Sequence, residues 1–229
     1  MIITPIVQGY LIKRYKRFLA DVYLPHNQET ITAHCPNSGA MLGLLTENNP
    51  VVLTDSSNPA RKLKYTLQAI QSDDTWVGIN TMIPNELVYN ALTNQNILPL
   101  TGYTDLKREV KYGTNSRIDF LLKNTKKPDC YVEVKNVTLK RQLKAEFPDC
   151  VTARGKKHLE ELTILAQKGY RCVIIYLIQR HDCCEFSLAE DLDPAYAKAA
   201  MKAKEAGVET LVLTYRLLIE ESSLHYQLL

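Results

Sequence analysis

The chain has 229 residues, 45% of them hydrophobic and 23% charged, with a formal net charge of +3. That is enough apolar material for a real core and more length than one average domain needs, so two domains, or a domain with an appended barrel, are expected. The charge is too small to specify a partner, and no long uncharged span or basic leader with an apolar core appears, so a cytoplasmic protein outside the membrane is expected.

Residues 1–82 read as short strands broken by turn signals. Apolar-rich stretches run over Ile6–Tyr15, Phe18–Leu24, Thr30–His34, Val51–Thr54, Leu63–Ala69 and Trp76–Ile79. Between them lie "PHNQE", "PNSG", "ENNP" and "SSNPAR", each punctuated by Pro, Gly, Asn or Ser. Strands this short and this closely spaced predict a small antiparallel barrel, and an OB-like barrel has the right size. Near its start, "YLIKRYKRF" interleaves Lys13, Arg14, Lys16 and Arg17 with Tyr10, Tyr15 and Phe18. OB barrels bind single strands with basic grooves and aromatic platforms, so these four cations are candidate phosphate contacts. Tyr15 and Phe18 serve a barrel interior equally well.

The pattern changes near Asn80 to Pro84. Pro84–Leu98 carries Leu87, Val88, Ala91, Leu92 and Leu98 at helical spacing, with the proline suited to the first turn. "SRIDFLL" and "CYVEVKNV" read as two strands joined by the turn "KNTKKPD". Thr152 is a candidate N-cap for a helix carrying Leu159, Leu162 and Leu165 up to Gly169. "YRCVIIYLIQ", Tyr170 to Gln179, is the near-continuous apolar run of a strand covered on both faces, as parallel sheets supply. Pro194–Ala206, stopped by Gly207, is a further helix, and Val208–Tyr215 a further buried strand. Residues 83–229 therefore form a partly parallel sheet flanked by helices, reached by right-handed crossovers.

The six cysteines include no C-x-x-C pair and no matched histidine spacing, which predicts buried reduced thiols rather than a zinc site. His34 and Cys35 are neighbours on a strand and point to opposite faces, so they do not make a nucleophile pair.

Three charges sit where core strands rarely accept them. Glu133 and Lys135 in "YVEVK" leave the same face of one strand, roughly 7 Å apart, while Val132 and Val134 supply packing on the other. Asp119 lies within the apolar run of the partner strand. If the strands pair with Asp119 beside Glu133, two carboxylates repel unless a cation lies between them. Mg²⁺ (or Mn²⁺) suits that position, because it takes few protein carboxylates and keeps waters, and Lys135 can orient a water or offset charge on a phosphate. The alternative is a buried salt bridge between Lys135 and one acid, with the other acid solvated. A second basic cluster, Arg154, Lys156 and Lys157, opens the Thr152 helix, where cations oppose the dipole and an incoming phosphate would reverse the cost. His158, at the edge of that helix's apolar stripe, is expected as a packed, hydrogen-bonded histidine.

Five stretches, "LIKRYKRFLADV", "HCPNSGAM", "EVKYGTNSRIDFLL", "CYVEVKNVTL" and "FPDCVTARGKKHLEEL", resemble the sugar fermentation stimulation protein (SfsA) family nearly from end to end. The resemblance implies an N-terminal OB-like domain and a C-terminal domain similar to PD-(D/E)xK nucleases. It also implies DNA as partner, with RNA the alternative, and a link to the regulation of sugar utilisation, here maltose metabolism. On that pattern Asp119 and Glu133 match the acids and Lys135 the lysine. Glu109 is a candidate further acid, or else a surface glutamate paired with Lys107 or Lys111. Ile118 stands where the motif's proline would be. Two functions follow: a Mg²⁺-dependent nuclease, or a DNA-binding regulator that uses the same fold without cleaving.

Overall fold

The computed structural model describes residues 1–56, 58–113, 116–220 and 222–229. The chain opens with a two-residue strand, β1 (Ile2–Ile3), and continues through β2 (Ile6–Tyr15), β3 (Leu19–Leu24), β4 (Glu29–His34), β5 (Pro50–Asp55), β6 (Tyr65–Ser72) and β7 (Thr75–Gly78). The last six form one sheet in the order β4-β3-β2-β5-β6-β7, and a parallel bridge between His34 and Thr66 joins β4 to β6. Strands β2 to β6 thus close into the five-stranded OB-like barrel that the turn spacing predicts. Alternation decides what fills it: Leu11, Val22, Leu24, Ala33, Leu53 and Leu67 point inward, and Met41 and Leu44 from the β4–β5 connection join them.

Helix α1 (Ile83–Thr93) follows, with proline in its first turn as expected. It stops five residues before the predicted end. Gln95 adopts a left-handed conformation (φ 55°) within the polar run "TNQN", which turns the chain before Leu98. Next come β8 (Asp105–Tyr112), β9 (Ser116–Asn124), β10 (Lys127–Val137), β11 (Leu139–Arg141) and β12 (Lys144–Phe147). Then follow α2 (Ala153–Gln167), β13 (Arg171–Ile178), β14 (Glu185–Leu188), α3 (Pro194–Glu205), β15 (Glu209–Glu220) and β16 (Ser223–Leu228). A seven-stranded sheet has the order β1-β16-β15-β13-β10-β9-β8, and β11, β12 and β14 make a small separate sheet.

The centre of the large sheet is parallel, with β13 between β10 and β15, and its flanks are antiparallel. Every residue of β13 after Arg171 is buried, as its unbroken apolar run predicts. β15, expected to be buried as well, is covered on one face only: Leu211, Leu213 and Tyr215 pack on the core under α1, while Val212 on the other face is exposed. Thr152 caps α2, its hydroxyl accepting a bond from the Gly155 amide, and Gly207 (φ 94°) follows α3. Helices α2 and α3 cover one face of the sheet through Leu159, Leu162, Tyr196 and Ala199.

Helix α1 and the barrel share the other face. Ile6, Val52 and Ala69 of the barrel belong to the same buried cluster as Leu87, Val88, Val132 and Val173. Gly78 closes the seam: its amide donates to the Gln179 carbonyl at 3.0 Å, and any β-carbon there would overlap the buried Gln179 side chain. β1 pairs with β16, Ile2 opposite His225, so the first residues of the 1–82 stretch belong to the large sheet rather than to the barrel.

Candidate functional site

β10 runs through the middle of the sheet, and its alternation sends Val132 and Val134 into the cluster under α1. Glu133 and Lys135 therefore face α2. On the neighbouring strand the order changes at Asp119. Ile118 packs in the α2–α3 cluster and Phe120 in the α1 cluster. Residues two apart on a regular strand share a face, so β9 turns over at Asp119. Glu109, which the flanking register places opposite it, has φ 52°. Regular pairing of β9 with β10 extends as far as Phe120 opposite Val132. Beyond it the Asp119 side chain takes over: Oδ2 accepts the Val134 amide at 2.7 Å, and Oδ1 accepts Asn85 Nδ2 from the first turn of α1 at 2.8 Å.

Glu133 is 3% exposed. Its Oε1 accepts Lys135 Nζ at 2.7 Å and is also hydrogen-bonded to Nδ1 of His158 on α2. Its Oε2 is buried and has no hydrogen-bond partner among the described residues, nor does the buried hydroxyl of Tyr112. His158 is 6% exposed, the packed and bonded histidine expected from its place on the helix. The salt-bridge alternative is met only in part. Lys135 does pair with Glu133, but Asp119 is held by two hydrogen bonds at a largely covered position.

The electrostatics follow from this arrangement. Burial and then the charge of Glu133 push the Asp119 carboxyl up to about 6, against the bonds from Val134 and Asn85 and the charge of Lys135. Burial also pushes Glu133 up, but Lys135 and His158 together outweigh it and hold that carboxyl below its ordinary range. Burial, then the fields of Glu133, Glu161 and Asp119, raise the Tyr112 hydroxyl. One acid is thus fixed in its charged form and the other resists charging beside it.

Among the described residues no group of three or more His, Cys, Asp or Glu side chains gathers in a way that could hold a metal. The fit to a divalent cation rests on a charged Glu133 close enough to raise the Asp119 carboxyl and on the bare, buried Oε2 of Glu133. A hard cation with one or two carboxylates and several waters matches that donor set. Above Lys135 opens a cleft of about 480 Å³ between the barrel and the sheet, lined among others by Arg17, Asn37, Ser38, Lys135 and Arg154.

Family models match both parts of the chain: the SfsA N-terminal OB domain over residues 12–79 and the sugar fermentation stimulation protein RE domain over residues 82–221. The chain belongs to the sugar fermentation stimulation protein family. A homolog from Rhodospirillum centenum is 54% identical over 211 residues, covering 92% of this chain and 90% of that protein. Another from Paramagnetospirillum magneticum is 50% identical over 214 residues, covering 93% and 90%. SfsA of Pyrococcus furiosus, solved in complex with Ca²⁺, superimposes with a TM-score of 0.87 at 25% identity, covering 99% of this chain and 95% of that one.

The basic residues singled out in this SfsA-family sequence divide sharply by position. Lys16 and Arg17 form the exposed turn between β2 and β3, and Arg17 reaches the cleft. Arg154 lines the cleft from the first turn of α2. Lys13 is exposed beside Asp21 at 3.7 Å. Lys156 and Lys157 pair with Glu160 and Glu161 one turn on, at 3.5 and 3.8 Å. Arg14 is placed differently: its guanidinium donates to the carbonyls of Arg17, Asn37 and Gly39 at 2.8–2.9 Å, so it holds the loop rather than facing solvent. Glu109 is exposed on β8, and among the described residues no salt bridge joins it to Lys107 or Lys111; Lys107 pairs with Asp105 instead.

The "CPNSGAM" loop sits where barrel and sheet meet. Asn37 donates to the Ile79 carbonyl at 2.9 Å, and Asp149 accepts the Met41 amide at 2.7 Å. Asn85 was not legible as a partner of Asp119, since nothing in a helix's first turn announces which strand it will face.

Proposed function

We propose that the protein binds nucleic acid, DNA in the first instance and RNA as the alternative, along the cleft between barrel and sheet, and hydrolyses a phosphodiester there with a divalent cation. Asp119 and Glu133 would hold the cation, Mg²⁺ or Mn²⁺. Bound there, it would lower the pKa of a water and neutralise charge gathering on the phosphate. Arg17 from the barrel and Arg154 from α2 both line that cleft and would supply positive charge to a strand in it. Lys135, which lines the cleft, carries an ammonium bonded to Glu133. It can offset charge at a scissile phosphate or orient the attacking water. Glu109 is a peripheral acid beside the same strand break. The Ca²⁺ complex of the Pyrococcus furiosus relative supports a divalent-cation site of this kind.

The observation that carries the reading is the placing of Asp119 within the fields of the bonded Glu133–Lys135 pair, with one buried oxygen of Glu133 left bare. The test is cleavage of labelled single- and double-stranded DNA by the purified protein with Mg²⁺ or Mn²⁺. Lys135→Ala should abolish cutting while the unfolding transition stays cooperative. Equal cutting by the variant would remove Lys135, and the site with it, from the chemistry.

One observation favours a second reading: among the described residues only two acids gather, and the lysine already neutralises one of them. On that reading the protein is a cytoplasmic DNA-binding regulator of sugar (maltose) metabolism that cleaves nothing. Binding that falls steeply with salt, unchanged by metal and with no product, would decide for it.

A further inference from the structure

Glu133 Oε1 receives two donors, Lys135 Nζ at 2.7 Å and His158 Nδ1, while Oε2 receives none. A single buried carboxylate oxygen is thus held twice over. The second donor comes from a different element, α2, one turn from its start. Arg154 Nε lies 3.4 Å from the other ring nitrogen, Nε2, and donates towards it. With Nε2 accepting, the proton of a neutral ring sits on Nδ1 and points at Glu133, the nearer of its two neighbours; Lys135 Nζ lies 3.4 Å from the same nitrogen. The chain of contacts therefore runs from the cleft wall (Arg154) through His158 to the acid.

This redundancy has a use. Lys135 lines the cleft and serves the reaction only if its ammonium turns from Glu133 towards a phosphate or a water. Leaving a buried carboxylate without a partner is costly, and that cost would hold the lysine in place. His158 removes it by keeping Oε1 bonded when the lysine leaves. It also fixes the plane of the carboxylate, so that Oε2 is the oxygen presented to a cation.

We propose that His158 is a positioning residue: it orients Glu133 for a divalent cation and frees Lys135 for the phosphate. The proposal rests on the metal reading given above. His158 touches neither phosphate nor cation, and it acts through Glu133.

The test is calorimetric titration of the whole protein with Ca²⁺, with thermal unfolding in EDTA to check that each variant is folded. Wild-type binding tests the metal reading; the variants test the positioning role. Asn carries its amide nitrogen at the same bond distance from Cα as Nδ1, whereas Gln carries it one bond further out. His158→Ala and His158→Gln should weaken Ca²⁺ by about 10–100-fold, the usual effect of losing the group that orients a metal ligand, and His158→Asn should recover most of that loss. In a Lys135→Ala background the His158→Ala loss should be larger, because no second donor remains. A core-filling role predicts no difference between Asn and Gln in affinity, and that result overturns the proposal, as do equal losses in the two backgrounds. If the wild type binds no Ca²⁺, the metal reading falls and the positioning role with it; if the wild type binds and all variants bind alike, only the latter falls.

Discussion

Replacing Asp119 with asparagine should make the metal-free protein more stable at neutral pH. The Asp119 carboxyl is raised to about 6 in the folded chain, by burial first and the Glu133 charge second, against 3.8 for the free group. A raised carboxyl binds its proton more tightly folded than unfolded, so stability falls as pH climbs from the lower value through the higher one. At 1.36 kcal/mol per pH unit, the gap from 3.8 to about 6 amounts to about 3 kcal/mol of stability lost by pH 8. The substitution removes that loss and keeps the local bonds. The carbonyl oxygen of the introduced amide can still accept the Val134 amide, and Asn85 can turn its own amide over to accept from the introduced nitrogen. For a domain pair of this size, about 3 kcal/mol corresponds to a rise in Tm of about 6–12 °C. Urea titrations in EDTA at pH 3.5, 5 and 8 are the assay. The variant and wild type should coincide at pH 3.5 and separate progressively above it. Saturating Ca²⁺ at pH 8 should stabilise the wild type and not the variant. A variant less stable than wild type at pH 8 would refute the claim that the acid pair is strained without a cation.

Arg14→Ala should cost about 1.5–3 kcal/mol in urea unfolding, because it strips the carbonyls of Arg17, Asn37, Gly39 and Ala40 of a charged donor, whereas Lys16→Ala should stay within about 0.5 kcal/mol. Gly78→Ala should cost about 1–3 kcal/mol by the same measurement, since the added methyl overlaps the buried Gln179 at the seam between barrel and sheet. In fluorescence titrations with a single-stranded oligonucleotide across a salt series, Arg17→Ala combined with Arg154→Ala should lower the log–log slope by about 1.4, two phosphate contacts' worth. An unchanged slope would place the strand elsewhere on the surface.

Periodicity made the barrel and the central sheet legible. Strands β2 to β6, β10, β13 and β15 bury an alternating or continuous set of apolar side chains, and that pattern is written in the residue order. β8 was missed because "DLKREVKY" lies at an open edge and buries only its final tyrosine, leaving little pattern to read. β11, β12 and β14 are three or four residues long and carry charges, and β1 pairs with a strand from the other end of the chain. At the site, Glu133 and Lys135 could be put on one face by counting in twos. The turning-over of β9 at Asp119 could not, since it depends on the neighbouring backbone at Glu109. Nor could the sequence separate Arg14 from Arg17: the same residue type ends on backbone carbonyls in one case and in the cleft in the other, and only the closed loop decides which.

The chain leaves the large sheet at β1, makes the whole barrel, and comes back at Gly78 and α1. The barrel is therefore moored at both ends, with the Thr4 hydroxyl and the Ile6 amide tied to Ser222 at one mooring and Gly78 to Gln179 at the other. A lobe on one flexible tether can swing and clamp shut on what it holds, but a lobe moored twice over an apolar seam keeps its distance. The gap above Lys135 thus has a fixed gauge, and on the reading proposed above a strand would enter it by sliding in rather than by being gripped.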